Sequence, residues 1–425
     1  MIKGISLFYF FLGLILQLPE LAVRFYLIDL GIEPSVLGAF QATLVIPWCA
    51  KPVYGFISDA LPLCGRRRQP YIILCNLMAA LAWTLMSTMT NEVWAAQVLL
   101  VLASVMTCFA DVMYDSILVE LAKKEDEHDQ GKIQSWCWGS RAAGALGAAF
   151  KGGVALRYVT PQKVFVAEAV LLCFVALCGY CLIDERKNVH QVVRCGHQCS
   201  HIFRTFKHPF LWKPAVFVFV FAATPSSYTA FFYFLVNELH FSSSFLGIMT
   251  CVRHAAMMLG TYLYSKCFRH TNYRSFFFWT VLFSAVLGAS PIILVTHTNM
   301  QMGLPNGFFA LGDDVFLSVL GQIALMPCLV LVAKLCPQGI EASLYASFVS
   351  ILNFAGIVSE YGGALATHLA GVTKDDFTNL PYLMLGCTLS SLLPIAFLTF
   401  LPRGNVRDVV SQPSDEDDEV ELVTI

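Results

Sequence analysis

Long apolar stretches alternate with short polar or charged connections from the start of the chain to about residue 401. A helix needs about 20 predominantly apolar residues to cross the hydrocarbon core of a bilayer. Twelve stretches of this chain reach that length, so the pattern predicts an all-α integral membrane protein with twelve transmembrane helices. The predicted spans are approximately 5–28, 35–58, 71–90, 93–121, 133–156, 164–184, 213–237, 244–266, 275–296, 311–334, 341–367 and 381–401.

The composition is that of a membrane protein. Hydrophobic residues occupy 57% and charged residues 13% of the 425 positions, and the mean hydropathy is +0.66. Soluble domains carry about 25% charged residues, so the composition argues against a soluble or nucleic-acid-binding protein. Neither a phosphate-binding loop of an ATP-driven pump nor the nucleophile and base of an enzyme stands out.

The longest internal polar stretch, about 185–212, divides the predicted spans six and six. This layout is that of the major facilitator superfamily, whose two halves are repeats that bind substrate near the middle of the membrane. We therefore predict a six-helix bundle at 1–184, a cytoplasmic linker at 185–212 and a second bundle at 213–402. Residues 403–425 are acidic and are expected to form a disordered cytoplasmic tail.

Lys and Arg concentrate in alternate loops, including the basic loop 66–68, whereas the opposite loops contain Arg157, Lys163 and Lys374. Because cytoplasmic loops are enriched in Lys and Arg, both termini are predicted to be cytoplasmic. No transit peptide is evident, so we expect the plasma membrane.

Four ionisable residues lie within apolar spans of the first half: Lys51, Asp111, Asp115 and Arg141. Each costs about 2.5 to 3.5 kcal/mol to insert at the centre of a membrane helix, so a functional role is the first hypothesis. Asp111 and Asp115 are spaced i, i+4 and share one helix face. Two neighbouring carboxylates in a low dielectric do not both ionise easily, which suits a proton carrier. The alternative is a charge-neutralised pair in which Arg141 joins two helices.

Other polar residues in the spans are candidates for lining a passage. Arg253 falls near the middle of the eighth predicted span. Lys51 lies between Pro47 and Pro52, which are expected to kink the second span. The alternative for Lys51 is a side chain that snorkels toward the cytoplasmic interface. Glu20 and Arg24 are spaced as an internal ion pair. Weaker candidates are Tyr228, beside a proline break in the seventh span, and Glu360 in the eleventh.

A second group of residues lies at the predicted cytoplasmic end of the second and fourth spans. Gly55 permits close helix approach, and Asp59 can form charge-assisted bonds with the basic loop. We assign this group to a cytoplasmic gate; the alternative is that the arginines only follow the positive-inside rule. Its members are Gly55, Asp59, Arg66, Arg67, Arg68 and Glu120.

The segments PWCAKPVYGFISDALPLCGRRRQPY at 47–71 and DVMYDSILVELAK at 111–123 resemble the folate/biopterin transporter family of the major facilitator superfamily. The resemblance implies transport of folates, pterins or, in some members, S-adenosylmethionine, usually coupled to protons. Asp111 and Asp115 would then carry protons and accept the N–H donors of a pterin edge. Lys51 and Arg253, with Arg141, would hold the anionic end of a folate.

The sequence therefore predicts a secondary transporter that imports folate or pterin compounds by proton-coupled alternating access. We expect a monomer whose partners are a small-molecule substrate, protons and lipid, with the proton gradient in place of a cofactor. Cys195, His197, Cys199 and His201 do not match a zinc spacing, so no metal site is predicted. Two alternatives remain: the same scaffold moving another cargo, such as S-adenosylmethionine, a sugar or a drug, or a membrane receptor that does not transport.

Overall fold

The fold of the chain is helical throughout the described residues. The computed structural model describes residues 2–88, 92–122, 127–183, 209–268, 271–335 and 341–401. In these ranges the regular elements are helices, and the single isolated β-bridge joins Leu63 to Arg66 in the loop before α4. The predicted all-α class is confirmed. The predicted linker falls mostly, and the predicted tail wholly, outside the described ranges.

In the part of the first half that the structure describes there are seven helices. They are α1 (Ile2–Asp29), α2 (Pro34–Cys49), α3 (Lys51–Ala60), α4 (Gln69–Thr88), α5 (Val93–Ala122), α6 (Glu127–Ala155) and α7 (Pro161–Leu182).

The described residues of the second half form nine α-helices and three short irregular helical segments. The α-helices are α8 (Pro209–Ala222), α9 (Tyr228–Tyr233), α10 (Ser243–Leu263), α11 (Tyr273–Gly288), α12 (Pro291–Val295), α13 (Thr298–Gln301), α14 (Asn306–Leu335), α15 (Glu341–Leu369) and α16 (Leu380–Ser390). Short π-helices follow α9 (Phe234–Glu238) and α10 (Tyr264–Phe268), and a 3-10 helix ends the described chain (Leu393–Phe400).

Eight helices of the described chain are long and apolar enough to cross a membrane, or nine if α2 and α3 count as one bent span. The other three predicted spans coincide with α6, with the broken segment from α8 to the first π-helix, and with α10. Twelve spans therefore fit the helices without being established by them. The protein is a multi-pass membrane protein.

Prolines break two of the predicted spans, as the sequence indicated. The second span bends by 40° between α2 and α3, because Pro52 has no N–H to bond the carbonyl of Trp48. That carbonyl instead accepts a hydrogen bond from Asn353 Nδ2 on α15, at 3.1 Å. The seventh span is interrupted between Ala222 and Tyr228, around Pro225.

Glycines bring α1 and α6 into direct backbone contact. A Cβ atom on Gly13 would overlap the carbonyl oxygen of Arg141, and one on Gly144 would overlap that of Phe10. Close approach through small residues is a common way to pack helices in lipid. The contact places residues of α1 directly beside the ionisable residues of α6.

The two halves of the chain meet at the end of the molecule where α1 finishes and α2 begins. We call it the outer end because the sequence predicts cytoplasmic termini. Gly153 on α6 faces Gly247 on α10 with no room for a Cβ atom on either residue. Tyr233 donates a hydrogen bond across the halves to the carbonyl of Ile32 at 2.5 Å. Glu33 accepts a hydrogen bond at 2.9 Å from the backbone N–H of Lys374. The outer end is therefore closed in this structure.

Candidate functional site

The ionisable residues of the first half form one cluster. The Lys51 ammonium bonds directly to the Asp111 carboxylate and lies 3.7 Å from Asp115 Oδ2. The Tyr9 hydroxyl donates to Asp115 Oδ1 at 2.5 Å. Arg141 completes the cluster from α6, with Nη1 3.9 Å from Asp111 Oδ1. We call these five residues the lysine cluster.

The two carboxylates of the lysine cluster have different surroundings. Asp111 is fully buried, whereas the Asp115 side chain is 44% exposed within the helix bundle. Asp111 Oδ1 has no hydrogen-bond partner, because Arg141 stays at the longer ion-pair distance. Asp111 is therefore held by Lys51 as an internal ion pair, and Asp115 is the carboxylate available to a ligand or to a proton.

This arrangement changes the roles expected of Lys51 and Arg141. The sequence suggested Arg141 as the partner of the two aspartates and Lys51 as a cation for the substrate. In the structure Lys51 is the nearer partner of Asp111 and also lies over the Trp48 ring, 5.1 Å from its centroid. Arg141 also reaches Asp111, at the longer distance of 3.9 Å, and its guanidinium lies over the Trp138 ring at 5.2 Å. Snorkelling of Lys51 is not what the structure shows.

The second half forms its own ion pair around Arg253 on α10. Its guanidinium contacts Asp314 on α14 through Nε, 3.1 and 3.2 Å from the two carboxylate oxygens, and through Nη2 at 3.0 Å. Nη1 donates to the Tyr228 hydroxyl at 3.0 Å. We call Arg253, Asp314 and Tyr228 the arginine cluster.

Asp314 was missed by the sequence analysis. It follows Asp313 in the apolar segment of α14, and Asp313 accepts a hydrogen bond from Ser290 at the start of α12. The insertion cost that singled out Asp111 and Asp115 applies equally to this adjacent pair. The signal was therefore present in the sequence, and Glu168, fully buried in α7 without a hydrogen-bond partner, carries the same signal.

The two clusters repeat one design. In each half a cation on the second predicted span pairs with an aspartate on the fourth, and a tyrosine on the first span of that half joins the cluster. The separations along the sequence match, with 60 residues from Lys51 to Asp111 and 61 from Arg253 to Asp314. Such repetition is typical of transporter folds built from related halves.

A third group on α1 contacts the second half. Glu20 and Arg24 form the expected internal ion pair at 3.5 Å. The Arg24 guanidinium lies over the rings of Tyr228 and Phe232, 5.2 and 5.1 Å from their centroids, so it binds aromatic faces of the opposite half. Gln17 donates to Glu20, and its amide oxygen is 2.9 Å from His254 Nε2 on α10.

A cavity of about 20 Å³ lies between α1, α6, α9 and α10, just below the Gly153–Gly247 contact. This space is enough for one water molecule or a single polar group of similar size. The polar residues that line it are Gln17, Glu20, Arg24, Tyr228, Thr250 and Arg253. The cavity therefore adjoins the arginine cluster, and the lysine cluster is a separate site.

The expected gate residues form contacts within the first half. Arg68 Nη2 forms an ion pair with Asp59 Oδ1 at 2.8 Å, and Arg68 Nη1 donates to Ser58 at 2.5 Å, which ties the end of α3 to the loop before α4. Arg66 bonds to Gln69 at the start of α4. A Cβ atom on Gly55 would make only ordinary contact with Val112 on α5.

The structure shows fewer contacts for the remaining predicted residues. Glu360 on α15 interacts electrostatically with Arg24, so it belongs near the cavity. Arg67 lies in the described loop before α4. The side chain of Glu120 and the segment with Cys195, His197, Cys199 and His201 lie outside the described part of the chain.

Comparison with known proteins finds relatives that match most of the chain. Over 415 residues the chain is 37% identical to the folate-biopterin transporter of Synechocystis sp. (strain ATCC 27184 / PCC 6803 / Kazusa), covering 96% of this chain and 84% of the relative. It is 26% identical to folate transporter 1 of Plasmodium falciparum (isolate 3D7), covering 88% of this chain and 74% of that protein.

The fold is that of the major facilitator superfamily. The crystal structure of a D-xylose-proton symporter matches 94% of this chain and 98% of its own with a TM-score of 0.69 at 14% identity. The model of the BT1 family matches residues 12–420, which include the arginine cluster, the cavity and every residue of the lysine cluster except Tyr9. On this match, the chain belongs to the BT1 family.

Proposed function

We propose that this protein is a secondary transporter that carries folate or pterin compounds into the cell together with protons. The observation that carries the proposal is the 37% identity to a folate-biopterin transporter along nearly the whole chain. The paired charge clusters and the closed outer end support the same conclusion, because an alternating-access transporter needs polar sites between two halves that close at one end at a time.

Asp115 is the residue best suited to bind the pterin and to carry the proton. Its carboxylate is half-exposed and accepts from Tyr9, while neighbouring Asp111 is held by Lys51. A carboxylate accepts two parallel N–H bonds, which matches the amino and ring N–H donors of a pterin. Because one lysine lies between the two carboxylates, Asp115 can either hold a proton or accept hydrogen bonds from the N–H donors of a ligand.

The transport step follows from the contacts between halves. With the outer end closed by the Gly153–Gly247 and Tyr233–Ile32 contacts, a substrate in the passage is separated from the outer side. Breaking these contacts opens that side while the opposite ends of the helices approach each other. The candidate binding residues lie on both halves, so a bound substrate would contact both halves.

The test is uptake of radiolabelled folate, biopterin and S-adenosylmethionine into proteoliposomes, with and without an imposed inward proton gradient. Accumulation of folate or biopterin above equilibrium, only with the gradient, is the expected result. Accumulation of S-adenosylmethionine alone would keep the scaffold and overturn the cargo. Binding of folate or biopterin without flux would favour a receptor.

Asp115→Asn tests the assigned role directly. We expect this variant to lose gradient-driven accumulation, because an amide does not carry a proton and has only one oxygen, so it cannot accept two parallel N–H bonds as a carboxylate does. The matched control is Glu168→Gln, the same kind of change at a buried carboxyl group that does not line the cavity. Full proton-driven uptake by Asp115→Asn would remove Asp115 from the mechanism.

A further inference from the structure

Asp313 lies next to the arginine cluster but on a different side of α14. Adjacent residues of a helix point about 100° apart around its axis, so Asp314 faces Arg253 on α10 whereas Asp313 faces Ser290 at the start of α12. Among the described residues, no Lys, Arg or His lies within ion-pair distance of Asp313, and Asp314 is the charged residue that acts on it electrostatically. An ionised Asp313 would therefore lie beside a like charge without a cation to offset it.

A proline beside Asp313 determines where the hydrogen of the Ser290 hydroxyl lies. Pro291 has no N–H, so it cannot bond the carbonyl of Leu287 four residues earlier. The Leu287 carbonyl oxygen instead accepts the backbone N–H of Ser290 at 2.9 Å and lies 2.5 Å from Ser290 Oγ. A carbonyl oxygen carries no hydrogen, so the hydrogen between these two oxygens is the one that Ser290 carries.

The number of hydrogens then determines the state of Asp313. Ser290 Oγ is also hydrogen-bonded to Asp313 Oδ1. While Asp313 is ionised, this bond needs the Ser290 hydrogen, and none is left for the contact with Leu287. A serine hydroxyl has one hydrogen, but it accepts as well as donates. Both contacts therefore exist together when Asp313 is protonated and donates to Ser290, which in turn donates to Leu287.

The proton on Asp313 can also leave without stranding a polar group. When it passes to water, the hydrogen of Ser290 turns from Leu287 to Asp313 Oδ1. The Leu287 carbonyl then keeps the backbone N–H of Ser290 as its donor. Each of the three oxygens has a partner in both states, so this arrangement suits reversible proton binding.

The two halves repeat this division of roles. In each half a cation holds one aspartate of the fourth span, and a hydroxyl group bonds to the other. The aspartates held by a cation are Asp111 and Asp314, and those bonded to a hydroxyl are Asp115 and Asp313. Asp115 and Asp313 are also both partly exposed, which lets them exchange protons with water. Asp313 therefore resembles Asp115 in its surroundings.

We propose that Asp313 is a second proton-binding residue of this transporter, the counterpart in the second half of Asp115. The inference rests on the proposed function and deepens its proton coupling, because each half then contributes one proton-binding carboxyl group. Oδ1 of Asp313 carries the proton, which comes from water and returns to water, and Ser290 follows each change by turning its hydroxyl. Acidic residues inside membrane helices commonly serve as proton relays in transporters.

The first test detects the proton on Asp313 without any cargo. Infrared absorption separates the C=O stretch of a neutral carboxyl group from the bands of a carboxylate. Spectra of the purified unmodified protein and of Asp313→Asn are compared at neutral pH. We expect the variant to lose neutral-carboxyl absorption. Its thermal midpoint should match that of the unmodified protein, because the amide donates to Ser290 as the protonated acid does.

The matched control is Asp375→Asn, the same change at an exposed carboxylate in a loop. It should lose carboxylate absorption and keep the neutral-carboxyl band. Loss of carboxylate absorption in Asp313→Asn would overturn the inference. If Asp313→Asn does not fold, Asp313→Ser gives the same reading, because its hydroxyl is neutral and absorbs in neither carboxyl band.

The second test measures whether this proton moves with the cargo. In proteoliposomes, exchange of labelled for unlabelled folate or biopterin needs no net proton movement, whereas accumulation at several imposed proton gradients gives the number of protons moved per cargo molecule. Asp313→Asn should exchange cargo like the unmodified protein but move about one proton fewer per cargo molecule. Asp375→Asn should change neither quantity.

An unchanged proton-to-cargo ratio in Asp313→Asn would overturn the inference and leave the proposed function in place. Slower exchange with that unchanged ratio would mean that Asp313 serves only the fold. A lack of accumulation by the unmodified protein would contradict the proposed function, whereas the infrared comparison would still decide whether Asp313 holds a proton.

Discussion

At the scale of single residues, the cost of placing a charge in lipid points to the charged residues of the lysine cluster. It does not tell which of these residues pair with each other. That cost depends on residue type and depth, both visible in the sequence, so Asp111, Asp115 and Arg141 could be singled out as candidates. Which cation reaches which carboxylate depends on helix packing, and the 40° bend places Lys51 nearer to Asp111 than Arg141 is. Asp314 had the same sequence signal, but its pairing with Arg253 depends on how α10 packs against α14.

The Lys51–Asp111 pair offers a test at this scale. Asp111→Leu and Lys51→Met should each lower the thermal midpoint, because removing one partner of a buried pair costs about 3 to 5 kcal/mol. The double variant should lose less than either single variant, since no charge is then left unpaired. The midpoints are measured by intrinsic fluorescence in detergent, and simple addition of the two single losses would show that the pair is not coupled.

At the scale of elements, periodicity and hydropathy predicted the helices well wherever a span is uniformly apolar. The all-α class and the breaks beside Pro52 and Pro225 were correct, because proline acts on its own helix and needs no tertiary information. Contacts such as Gly13 against Arg141 were not predictable. A glycine in a span looks the same in a sequence whether a neighbouring backbone or open space faces it.

That difference between glycines is itself testable on α6. Gly144→Ala should destabilise the protein by about 1 to 3 kcal/mol, because its Cβ would overlap the Phe10 carbonyl and force α1 away. Gly147→Ala is the matched control on the same helix, where a Cβ meets nothing within 4 Å. Thermal midpoints of the two variants are compared, and equal values would contradict the assigned helix contact.

At the scale of the whole molecule, the charge clusters divide between the halves and the closing contacts join them. The lysine cluster lies within the first half and the arginine cluster within the second. The interface between halves at the outer end instead uses glycines, a backbone acceptor and the aromatic rings facing Arg24. In the proposed transport cycle, closing and opening the outer end would therefore leave both ion pairs intact.

The Gly153–Gly247 contact predicts how a larger side chain at this contact changes the equilibrium between the closed and open states of the outer end. Gly247→Leu should prevent closure of the outer end and shift the population toward the state open there, because the two backbones can no longer touch. Spin labels at Val36 on α2 and Leu369 on α15, both exposed, report the separation by double electron–electron resonance once native exposed cysteines are replaced. A longer distance is expected.

The control for this measurement is Gly147→Leu, which adds the same side chain where no neighbour lies within 4 Å of the new Cβ. Its distance distribution should match that of the labelled parent protein. An unchanged distribution in Gly247→Leu would mean that the glycine contact does not govern closure.

The bend in the second span also determines how far water must enter the passage between the two halves. The carbonyl of Trp48, left without its helical partner by Pro52, accepts its hydrogen bond from Asn353 of the opposite half. When α2 and α15 part, Asn353 leaves with α15, and an unsatisfied backbone carbonyl in hydrocarbon costs several kcal/mol. Water must then replace the amide, so solvent has to penetrate as far as Trp48 whenever the outer end opens.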